Sequence, residues 1–438
     1  MKKISVIILA AGKSTRMKSS KVKVLHSIAG RPIINYINDI AKKNSSSGIY
    51  YVCSKETENY IKKNFPESKT IIQKNKLGTA HAVQCTKNFI KKDNNDVIVL
   101  FGDVPLIKDS TIKKLIKFRK KSKTIGSIVA FKSNNPFGYG RVILKNGFIK
   151  SIVEHKNATT HEKKINLCNS GILICESKYL FSRLNNISNN KNNKKERYLT
   201  DLCELAFNEK KPFSFVECSE TEVLGINSRK QLIELDLKFQ KIIKDKLIKN
   251  GATLIQPETI RVSYDTILGK DVIIEPNCII KKGVKIKKST SVFSGTYLEE
   301  CSIGHNCLIG PSARIRPKTI IANNVKIGNF VEVKNSQIGE NSSVAHLSYI
   351  GDTTIGKKVN IGAGTITCNY DGKNKNKTFI DDNSFIGSNS SLIAPIKIGK
   401  NVTIAAGSVI DKNVKSSNLA IERSKLLILS KKRRSKNS

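Results

Sequence analysis

Two different spacings of hydrophobic residues divide the chain near residue 250. In the first part, short apolar runs alternate with polar stretches of helical character, which predicts βαβ units on a mostly parallel sheet. The predicted strands are Ser5–Ala10, Ile49–Cys53, Asp96–Phe101, Ile125–Phe131 and Gly171–Cys175. From Arg229 to Asn250, large apolar residues recur at helical spacing, and Gly251 follows as a stop signal. We therefore expect a first domain over 1–229, a linking helix over 230–250 and a second domain over 251–438.

Beyond the helix the hydrophobic period is six residues. This is the hexapeptide pattern of a parallel β-helix, in which three hexads form one triangular coil and each aliphatic side chain fills a corner of the interior. The span from Ile267 to Ile410 then gives about eight coils. The predicted interior residues are Ile267, Ile273, Ile279, Ile286, Val292, Leu298, Ile303, Ile309, Ile315, Ile321, Ile327, Val333, Ile338, Val344, Ile350, Ile355, Ile361, Ile380, Ile386, Leu392, Ile398, Ile404 and Ile410.

Glycines and one interruption modify this repeat. Glycine often follows the aliphatic residue, where we expect a tight corner to favour it. These glycines are Gly304, Gly310, Gly328, Gly339, Gly351, Gly356, Gly362, Gly387 and Gly399. The period breaks between Ile361 and Ile380, so Thr367–Lys375 is predicted to leave the coil as a loop. The loop is either a tolerated insertion or a carrier of binding groups, and the second is favoured because excursions from a rigid scaffold commonly carry function.

Charge and cysteine content narrow the class of protein. The 438 residues include 77 Lys+Arg and 35 Asp+Glu, a net charge of +42. Lysines occur along the whole chain, which indicates compositional drift rather than a nucleic-acid-binding module, although salt-dependent affinity for polyanions is expected. Ten cysteines without a C-x-x-C pair exclude a disulfide framework or a zinc site and indicate a reducing cytoplasm. No run reaches the ~18 apolar residues of a membrane span.

A turn of small residues follows directly on the first predicted strand. Leu9–Met17 reads LAAGKSTRM, and its small side chains let backbone N–H groups approach a phosphate. A Walker A motif is excluded because its first glycine would fall at Ile7, and a Rossmann fingerprint lacks two glycines. The apolar start also suits a signal peptide, but the phosphate-binding turn fits the following residues better. Asp103, in the segment Phe101–Leu106, ends another strand, where α/β sheets place their ligands.

These two segments resemble the signature of nucleotide-sugar pyrophosphorylases, L-A-A-G-x-G-T-R-M followed by G-D-V-P-L. Together with the helix and the hexapeptide half, nearly the whole chain resembles the family of bifunctional N-acetylglucosamine-1-phosphate uridyltransferases and glucosamine-1-phosphate N-acetyltransferases. The resemblance implies an α/β Rossmann-like nucleotidyltransferase domain, a left-handed parallel β-helix and a homotrimer. It also implies Mg²⁺ as cofactor, and UTP, glucosamine-1-phosphate and acetyl-CoA as substrates. Ser14, Val22 and Phe101 depart from the family pattern, which has glycine, proline and tyrosine there.

The resemblance assigns roles in the first half residue by residue. Asp103 and Asn227 are implied to bind Mg²⁺, Lys23 to meet phosphate, and Arg16 to stabilise charge on the transferring group. The implied nucleotide and sugar contacts are Leu9, Ala10, Ala11, Gly12, Lys23, Gln73, Gly78, Thr79, Gly140, Glu154, Asn169 and Asn227.

In the second half, His346 is implied to be the general base of acetyl transfer. An amine that attacks a thioester must lose a proton, and imidazole titrates near the working pH. The implied sugar-phosphate contacts are Arg316, Lys334, Tyr349, Asn360 and Lys375, and the implied acetyl-CoA contacts are Ala363, Asn369, Tyr370, Ser388, Ala406 and Arg423.

Two other functions remain open at this point. The chain could be a pyrophosphorylase whose solenoid only regulates or assembles it, or a non-catalytic assembly subunit. His346, Asn369, Tyr370 and Arg423 argue against the first. Arg16 and Asp103, both present, argue against the second, because an assembly subunit would tolerate their loss. The favoured hypothesis is a bifunctional enzyme of cell-wall amino-sugar synthesis, without a nucleic-acid or membrane partner.

Overall fold

A computed structural model describes residues 3–12, 15–75, 77–90, 95–187 and 196–428. The chain divides into two compact units, Met1–Leu237 and Lys238–Ser438. The departure at Ser14 lies outside the described residues. None of the described helices combines the length and the apolar composition needed to cross a bilayer.

A mixed sheet forms the centre of the first unit, and its strands lie in the order β5-β4-β1-β6-β10-β7-β11-β9-β8. The strands of this unit are β1 (Ile4–Ala10), β2 (Ser27–Ile28), β3 (Arg31–Pro32), β4 (Gly48–Cys53), β5 (Lys69–Ile72), β6 (Asp96–Phe101), β7 (Gly126–Lys132), β8 (Arg141–Lys145), β9 (Phe148–Val153), β10 (Leu167–Glu176) and β11 (Phe213–Cys218). The helices are α1 (Ile33–Asn44), α2 (Lys55–Asn64), α3 (Thr79–Gln84), α4 (Asp109–Lys121), α5 (Thr160–Lys163), α6 (Ser177–Arg183), α7 (Asp201–Asn208) and α8 (Arg229–Lys249), the last of which extends into the second unit. Short 3-10 helices span Thr15–Met17, Lys23–Leu25, Leu184–Asn186 and Glu220–Val223.

Strands of this sheet are buried on both faces. In β1, Val6 and Ile8 pack into one hydrophobic cluster and Ile7 into the cluster on the other side of the sheet. All three side chains are fully buried, which explains the continuous apolar run in the sequence.

Two strands, β9 and β10, run opposite to the others in this sheet. Strands β1, β4, β5 and β6 are parallel, as are β7 and β11, but β10 runs antiparallel to both of its neighbours, β6 and β7. The sheet is therefore mixed rather than mostly parallel. Because β10 is reversed, its first residues, including Asn169, lie at the edge where β6 ends.

The second unit is a parallel β-helix with three faces, which confirms the predicted solenoid. The first face comprises Thr253–Leu254, Ile273–Ile274, Ser291–Val292, Leu308–Ile309, Lys326–Asn329, Ser343–His346, Asn360–Ile361, Phe385–Ile386, Thr403–Ile404 and Leu419–Ala420. The second comprises Arg261–Val262, Ile279–Ile280, Tyr297–Leu298, Arg314–Ile315, Glu332–Lys334, Tyr349–Gly351, Ile366–Cys368, Ser391–Ile393 and Val409–Ile410. The third comprises Ile267–Leu268, Lys285–Ile286, Cys301–Ile303, Thr319–Ile321, Gln337–Ile338, Thr353–Ile355, Thr378–Ile380 and Ile396–Ile398.

The predicted interior residues are correct from Ile286 onward, where all are buried, but the first three are wrong by one position. Ile267 is 55% exposed, whereas Leu268 beside it is 7% exposed. In the same way Ile274 and Ile280 are buried, and the predicted residues before them face outward. Two adjacent aliphatic residues fit the six-residue period equally well, so only the folded coil shows which one points inward.

A second interior position, two residues before the aliphatic one, was not predicted. It carries small side chains such as Thr290, Cys307 and Ser342, each at most 1% exposed. The polar atoms of these three are satisfied between coils: Ser342 Oγ, for example, donates to the Gly356 carbonyl at 2.8 Å and accepts from the Val359 N–H at 3.0 Å. Such pairing removes the cost of a buried hydroxyl.

The expected reason for the repeated glycines is wrong for most of them. Of the nine, only Gly310 has a left-handed φ, of 100°. A Cβ at Gly328 would lie 1.8 Å from the carbonyl oxygen of Ala345 in the next coil, so close stacking of coils requires glycine there. The left-handed corner comes later in each hexad and often carries asparagine, as at Asn324 (φ 56°) and Asn341 (φ 59°).

The loop that interrupts the solenoid begins two residues later than predicted. Thr367 is fully buried and Cys368 belongs to a strand, so both remain in the coil and the excursion begins after them. Thr367 follows Ile361 by six residues, which keeps the period. Within the loop, Tyr370 and Lys375 form an antiparallel bridge. All ten cysteines are free and seven are buried.

Candidate active sites

A cavity of about 410 Å³ opens in the first unit at the carboxyl ends of β1 and β6. Most residues expected to contact the nucleotide line its wall. The lining residues are Leu9, Ala10, Ala11, Gly12, Val22, Lys23, Val24, Val52, Gln73, Gly78, Thr79, Ala82, Phe101, Asp103 and Glu196. Strand ends that meet at one sheet edge explain why positions far apart in sequence converge here.

Val22, one of the three departures from the family pattern, precedes the 3-10 helix Lys23–Leu25. Its φ of −60° and ψ of 138° are values that proline also adopts. The valine therefore leaves the local backbone in the same conformation. Its carbonyl accepts the Leu25 N–H at 3.0 Å, which closes the turn that presents Lys23.

The Lys23 ammonium joins the two residues expected to bind metal. Its Nζ lies 2.5 Å from Asp103 Oδ2 and 3.3 Å from Asn227 Oδ1. The Ile226 N–H donates to the Asp103 carbonyl at 3.2 Å, which holds the Asn227 segment beside Asp103. Two side-chain oxygens thus converge on one cation, and this donor set suits Mg²⁺, which commonly takes one or two protein oxygens and completes its shell with water and phosphate. Among the described residues, no group of three His, Cys, Asp or Glu side chains could hold a metal.

The wall opposite the phosphate turn is built from Gln73 and Gly78. The buried Gln73 amide donates to the Gly78 carbonyl at 3.3 Å. Gly78 has φ 98°, and a Cβ there would lie 2.5 Å from the Arg197 carbonyl oxygen, so only glycine fits. The Arg197 backbone in turn bonds to Leu77 and Ala80 at 2.9 and 3.1 Å.

A second cavity of about 310 Å³ adjoins the first and shares Thr79 and Phe101 with it. Gly140, Glu154 and Asn169, the expected sugar contacts, all line it. Phe101 packs against Gly171, where a Cβ would lie 2.6 Å from its ring.

Backbone bonds fix the positions of these sugar-contact residues. The Asn169 N–H donates to the Gly140 carbonyl at 2.9 Å, and its side-chain oxygen accepts the Gly171 N–H at 3.0 Å. Burial raises the pKa of the Glu154 carboxyl, a hydrogen bond from Thr200 at 3.4 Å opposes this, and the nearby Asp201 adds to the rise. The carboxyl therefore takes a proton more readily than an exposed glutamate.

The segment Tyr198–Thr200 lines the second cavity and was missed from the sequence. The Leu199 N–H donates to Thr79 Oγ1 at 3.0 Å, which joins the segment to the wall of the first cavity. Burial, and then its hydrogen bond to Glu196, raise the pKa of Tyr198 to about 12. Only the fold brings this segment, far along the chain, to the cavity.

Arg16 is exposed on the helix Thr15–Met17, outside the described cavity walls.

In the solenoid, His346 belongs to a column of residues at the corner between the first and second faces. Each member lies two residues after a buried aliphatic residue, and those aliphatic residues are in register. We call this the corner column; its members are Asn329, His346, Ala363, Ser388 and Ala406. Three of the expected acetyl-CoA contacts therefore continue directly from His346, one coil at a time.

Backbone bonds tie the corner column together. The carbonyls of the first four members each accept a hydrogen bond from the residue that follows the next member. The Leu347 N–H donates to Asn329 at 3.0 Å, Gly364 to His346 at 3.3 Å, Asn389 to Ala363 at 2.7 Å and Gly407 to Ser388 at 2.8 Å. The Arg423 Nε donates to the last carbonyl, that of Ala406, at 3.0 Å. A fourth predicted acetyl-CoA residue, Arg423, thus ends the column.

The His346 ring is exposed and oriented by its neighbour in the column. Its Nδ1 lies 2.8 Å from Asn329 Oδ1. Tyr349 begins the strand after this corner, and Asn360 lies on the first face, paired with Ser343. Asn329 was not predicted. The repeat nevertheless places it one coil before His346 at the same corner, so the sequence did contain a signal for this contact.

A second group of predicted residues lies at the corner between the second and third faces. There Asp352 accepts one hydrogen bond from the Asn335 amide and one from the Asn369 amide. Burial would raise the Asp352 pKa, but these bonds and the charges of Lys334 and Lys375 lower it. The Asp352 carboxylate therefore fixes the start of the loop that carries the exposed Tyr370.

Cations gather beside this carboxylate. The Lys375 ammonium next to Lys334, followed by burial, lowers the pKa of Lys334. Arg316 NH1 donates to Glu332 Oε1 at 2.8 Å. Arg316, Lys334 and Lys375 therefore form a cation cluster, and like charges held together favour an anionic ligand between them. Within one chain the cation cluster lies at the corner between the second and third faces of the solenoid, whereas the corner column lies between the first and second faces.

Comparisons with known proteins agree with this geometry. The nucleotidyl transferase family matches residues 5–221, the GMPPB C-terminal domain matches 297–370, and the bacterial transferase hexapeptide (six repeats) matches 377–412. A bifunctional protein GlmU of Rhizobium johnstonii is 47% identical over 96% of this chain and 93% of its own length. Those of Zymomonas mobilis and Fervidobacterium nodosum are 43% and 41% identical over 97% of this chain, and over 95% and 96% of their own lengths.

Proposed function

The chain belongs to the GlmU family of bifunctional proteins, and from this membership we propose which residues carry each of its two reactions. The enzyme acetylates glucosamine-1-phosphate with acetyl-CoA, then transfers UMP from UTP to N-acetylglucosamine-1-phosphate and releases pyrophosphate. We assign uridyltransfer to residues 1–229 and acetyl transfer to residues 251–438, with the helix over 230–250 between them. We propose that the enzyme works in the cytoplasm, because its substrates include UTP and acetyl-CoA.

In uridyltransfer, the first cavity binds UTP and the second binds the sugar phosphate. The turn Ala10–Gly12 offers backbone N–H groups to the phosphates, and Gln73 with Gly78 reads the edge of the uracil ring. Gly140, Glu154 and Asn169 hold the sugar. The shared wall at Thr79 and Phe101 brings the two ligands next to each other, so an oxygen of the sugar phosphate attacks the α-phosphorus of UTP in line and displaces pyrophosphate.

Charge stabilisation is the main chemical task at this centre. Mg²⁺, when bound, neutralises the triphosphate charge, and Asp103 and Asn227 are the residues that would hold it. With the metal held there, Lys23 would meet a phosphate, and Arg16 would stabilise charge on the transferring group from the exposed turn. The observation that supports this assignment is the convergence of Asp103 Oδ2 and Asn227 Oδ1 on the Lys23 ammonium.

In acetyl transfer, His346 is the general base. Its Nε2 accepts the proton of the glucosamine amine as the nitrogen attacks the thioester carbonyl. The protonated imidazole then gives a proton to the CoA sulfur as the C–S bond breaks, and CoA leaves as the thiol. Ala363, Ser388, Ala406 and Arg423 extend the same corner along the solenoid, which suits a long ligand such as acetyl-CoA. Asn369 and Tyr370 contact it from the loop, and Arg316, Lys334, Tyr349, Asn360 and Lys375 hold the sugar phosphate.

A homotrimer completes the second site. The corner column and the cation cluster lie on different corners of one prism, so one chain separates the base from the residues that hold the sugar phosphate. Packing of three prisms places the corner of one subunit against another face of its neighbour. A single chain would then be inactive in acetyl transfer and active in uridyltransfer.

One coupled assay tests the two reactions together. Purified protein with acetyl-CoA, glucosamine-1-phosphate, UTP and Mg²⁺ should release CoA and pyrophosphate and form UDP-N-acetylglucosamine. His346→Ala should abolish CoA release and leave pyrophosphate release from N-acetylglucosamine-1-phosphate unchanged. If wild-type protein releases no CoA, the acetyl-transfer assignment is wrong and the solenoid only assembles or regulates the enzyme.

A further inference from the structure

A third cavity, also of about 410 Å³, lies in the first unit at the opposite edge of the sheet from the two cavities above. It is formed where β7 and β11 begin and the reversed strand β10 ends. Its wall includes Ile125, which precedes β7, Pro212, which precedes β11, and Glu176, the last residue of β10. Strand β6 runs from one edge to the other and is six residues long, so the two edges are roughly 20 Å apart.

The wall of this cavity is strongly cationic. Arg119, Lys123, Lys210 and Lys211 line it, against one carboxylate, that of Glu176. Such a concave surface concentrates field lines and attracts anions.

Arg119 makes this cavity more than a cationic patch. Its side chain is 9% exposed, and NH2 lies 3.4 Å from Asp96 Oδ1 and 3.9 Å from Glu176 Oε2. Its Nε is buried and has no hydrogen-bond partner among the described residues. A buried donor without a partner is costly, and this cost marks Arg119 as a residue whose guanidinium is not fully satisfied by Asp96 and Glu176.

Helix stabilisation explains only part of the charge. Lys123 and Lys210 follow the ends of α4 and α7, and cations near a helix carboxyl end interact favourably with its dipole. That effect does not require a cavity, nor does it leave a guanidinium donor buried and unpaired. Both lysines also have left-handed φ values, of 52° and 56°, at a position where glycine is usual, and these corners direct the chain around the opening.

An apolar surface borders the cationic wall. Phe148, 38% exposed, lines the cavity together with Ile125 and Pro212. A shallower hollow beside it adds Phe207 and shares Phe148, Lys210 and Pro212 with the cavity. An exposed aromatic ring next to several cations suits a ligand that carries phosphate at one end and a planar ring at the other.

We infer that this cavity binds an organic polyphosphate of the nucleotide class, separately from the two catalytic cavities. Its phosphates contact Arg119, Lys123 and Lys211, and its ring lies against Phe148. The ligand would sit where β6 begins and β10 ends, the two strands whose other ends carry Asp103 and Asn169.

Calorimetric titration of the full-length protein with ATP and with inorganic tripolyphosphate tests this binding. Hydrogen–deuterium exchange locates the ligand, with protection expected in peptides covering 119–125 and 208–212. Lys123→Gln with Lys211→Gln should weaken ATP binding there about tenfold or more. Lys120→Gln with Lys121→Gln removes the same charge from exposed positions outside the cavity and should change it less than about twofold.

The ring contact has its own test. Phe148→Ala should weaken ATP binding and leave tripolyphosphate binding unchanged, because only ATP carries a ring. Equal affinities for the two ligands in wild-type protein would overturn the ring contact. The proposed site would be overturned if the two lysine-pair variants weakened ATP binding equally. It would also be overturned if protection were confined to residues 9–12 and 73–79. Neither result depends on the uridyltransfer assignment.

Discussion

His346 Nδ1 lies 2.8 Å from Oδ1 of Asn329, the residue at the same corner one coil earlier. An amide oxygen only accepts hydrogen bonds, so Nδ1 carries the proton and Nε2 keeps its lone pair. The stacking of coils therefore selects the tautomer that a general base needs. Asn329 is a positioning residue in this arrangement.

We expect Asn329→Ala to lower the kcat of acetyl transfer by about 10- to 100-fold, less than the whole contribution of a general base. KM for acetyl-CoA should change little, and the uridyltransfer rate should stay at the wild-type value. Asn329→Asp retains an acceptor and should lose less. Steady-state kinetics of the double variant with His346→Ala check the coupling: if the two losses multiply, Asn329 does not act through His346.

Asp103→Asn should abolish most uridyltransfer, because the amide keeps the shape of the side chain but removes the charge that attracts Mg²⁺ and Lys23. A loss of about 10³-fold in kcat is expected, within the range for removal of an electrostatic contact at a reacting centre. Titration of the rate with Mg²⁺ measures it, and CoA release should be unaffected. Asp109→Asn, at the start of α4, is the matched control and should retain full activity.

Lys334 should give the sugar-phosphate site of acetyl transfer an alkaline limit. Its pKa is lowered by the adjacent Lys375 ammonium, so it loses its charge at a lower pH than an ordinary lysine. Affinity for N-acetylglucosamine-1-phosphate, which has no titrating amine, should therefore fall as pH rises toward that lowered pKa. Calorimetry at stepped pH, with a uridyltransfer-inactive variant, measures this.

Lys375→Gln separates this effect from a simple loss of one contact. Affinity at neutral pH should drop, while the alkaline fall should move to higher pH, because the neighbouring charge is gone. An unmoved alkaline limb would contradict the pairing of Lys334 with Lys375.

Gly328→Ala should destabilise the solenoid beside His346. The added Cβ would lie 1.8 Å from the Ala345 carbonyl oxygen, so the coils must separate, and overpacking of this kind costs about 3 kcal/mol. Chemical denaturation followed by circular dichroism measures the change. Gly407→Asn is the control: φ is 74° and the space is open, and asparagine adopts this conformation in other coils. A similar loss in both variants would show that the close approach is not the cause.

Much of the fold was predictable because it is local. The strand Asp96–Phe101 was predicted with its observed bounds, and the six-residue period identified a β-helix. Most of the residues that the family resemblance named in the first half line the two cavities of the first unit. What it could not supply was their supports, such as Asn329, Asp352 and Leu199, which contact residues many positions away.

The sequence by itself determined the two-part organisation, the solenoid and the chemistry-bearing side chains, because hydrophobic period and motif spacing are properties of neighbouring residues. Only the tertiary structure decided that Leu268 rather than Ile267 points inward, that β10 runs backward and carries Asn169 to the end of β6, and that Arg119 is buried with a free donor. These outcomes depend on which distant segments pack together, and neither a hydrophobic period nor a sequence motif specifies that packing.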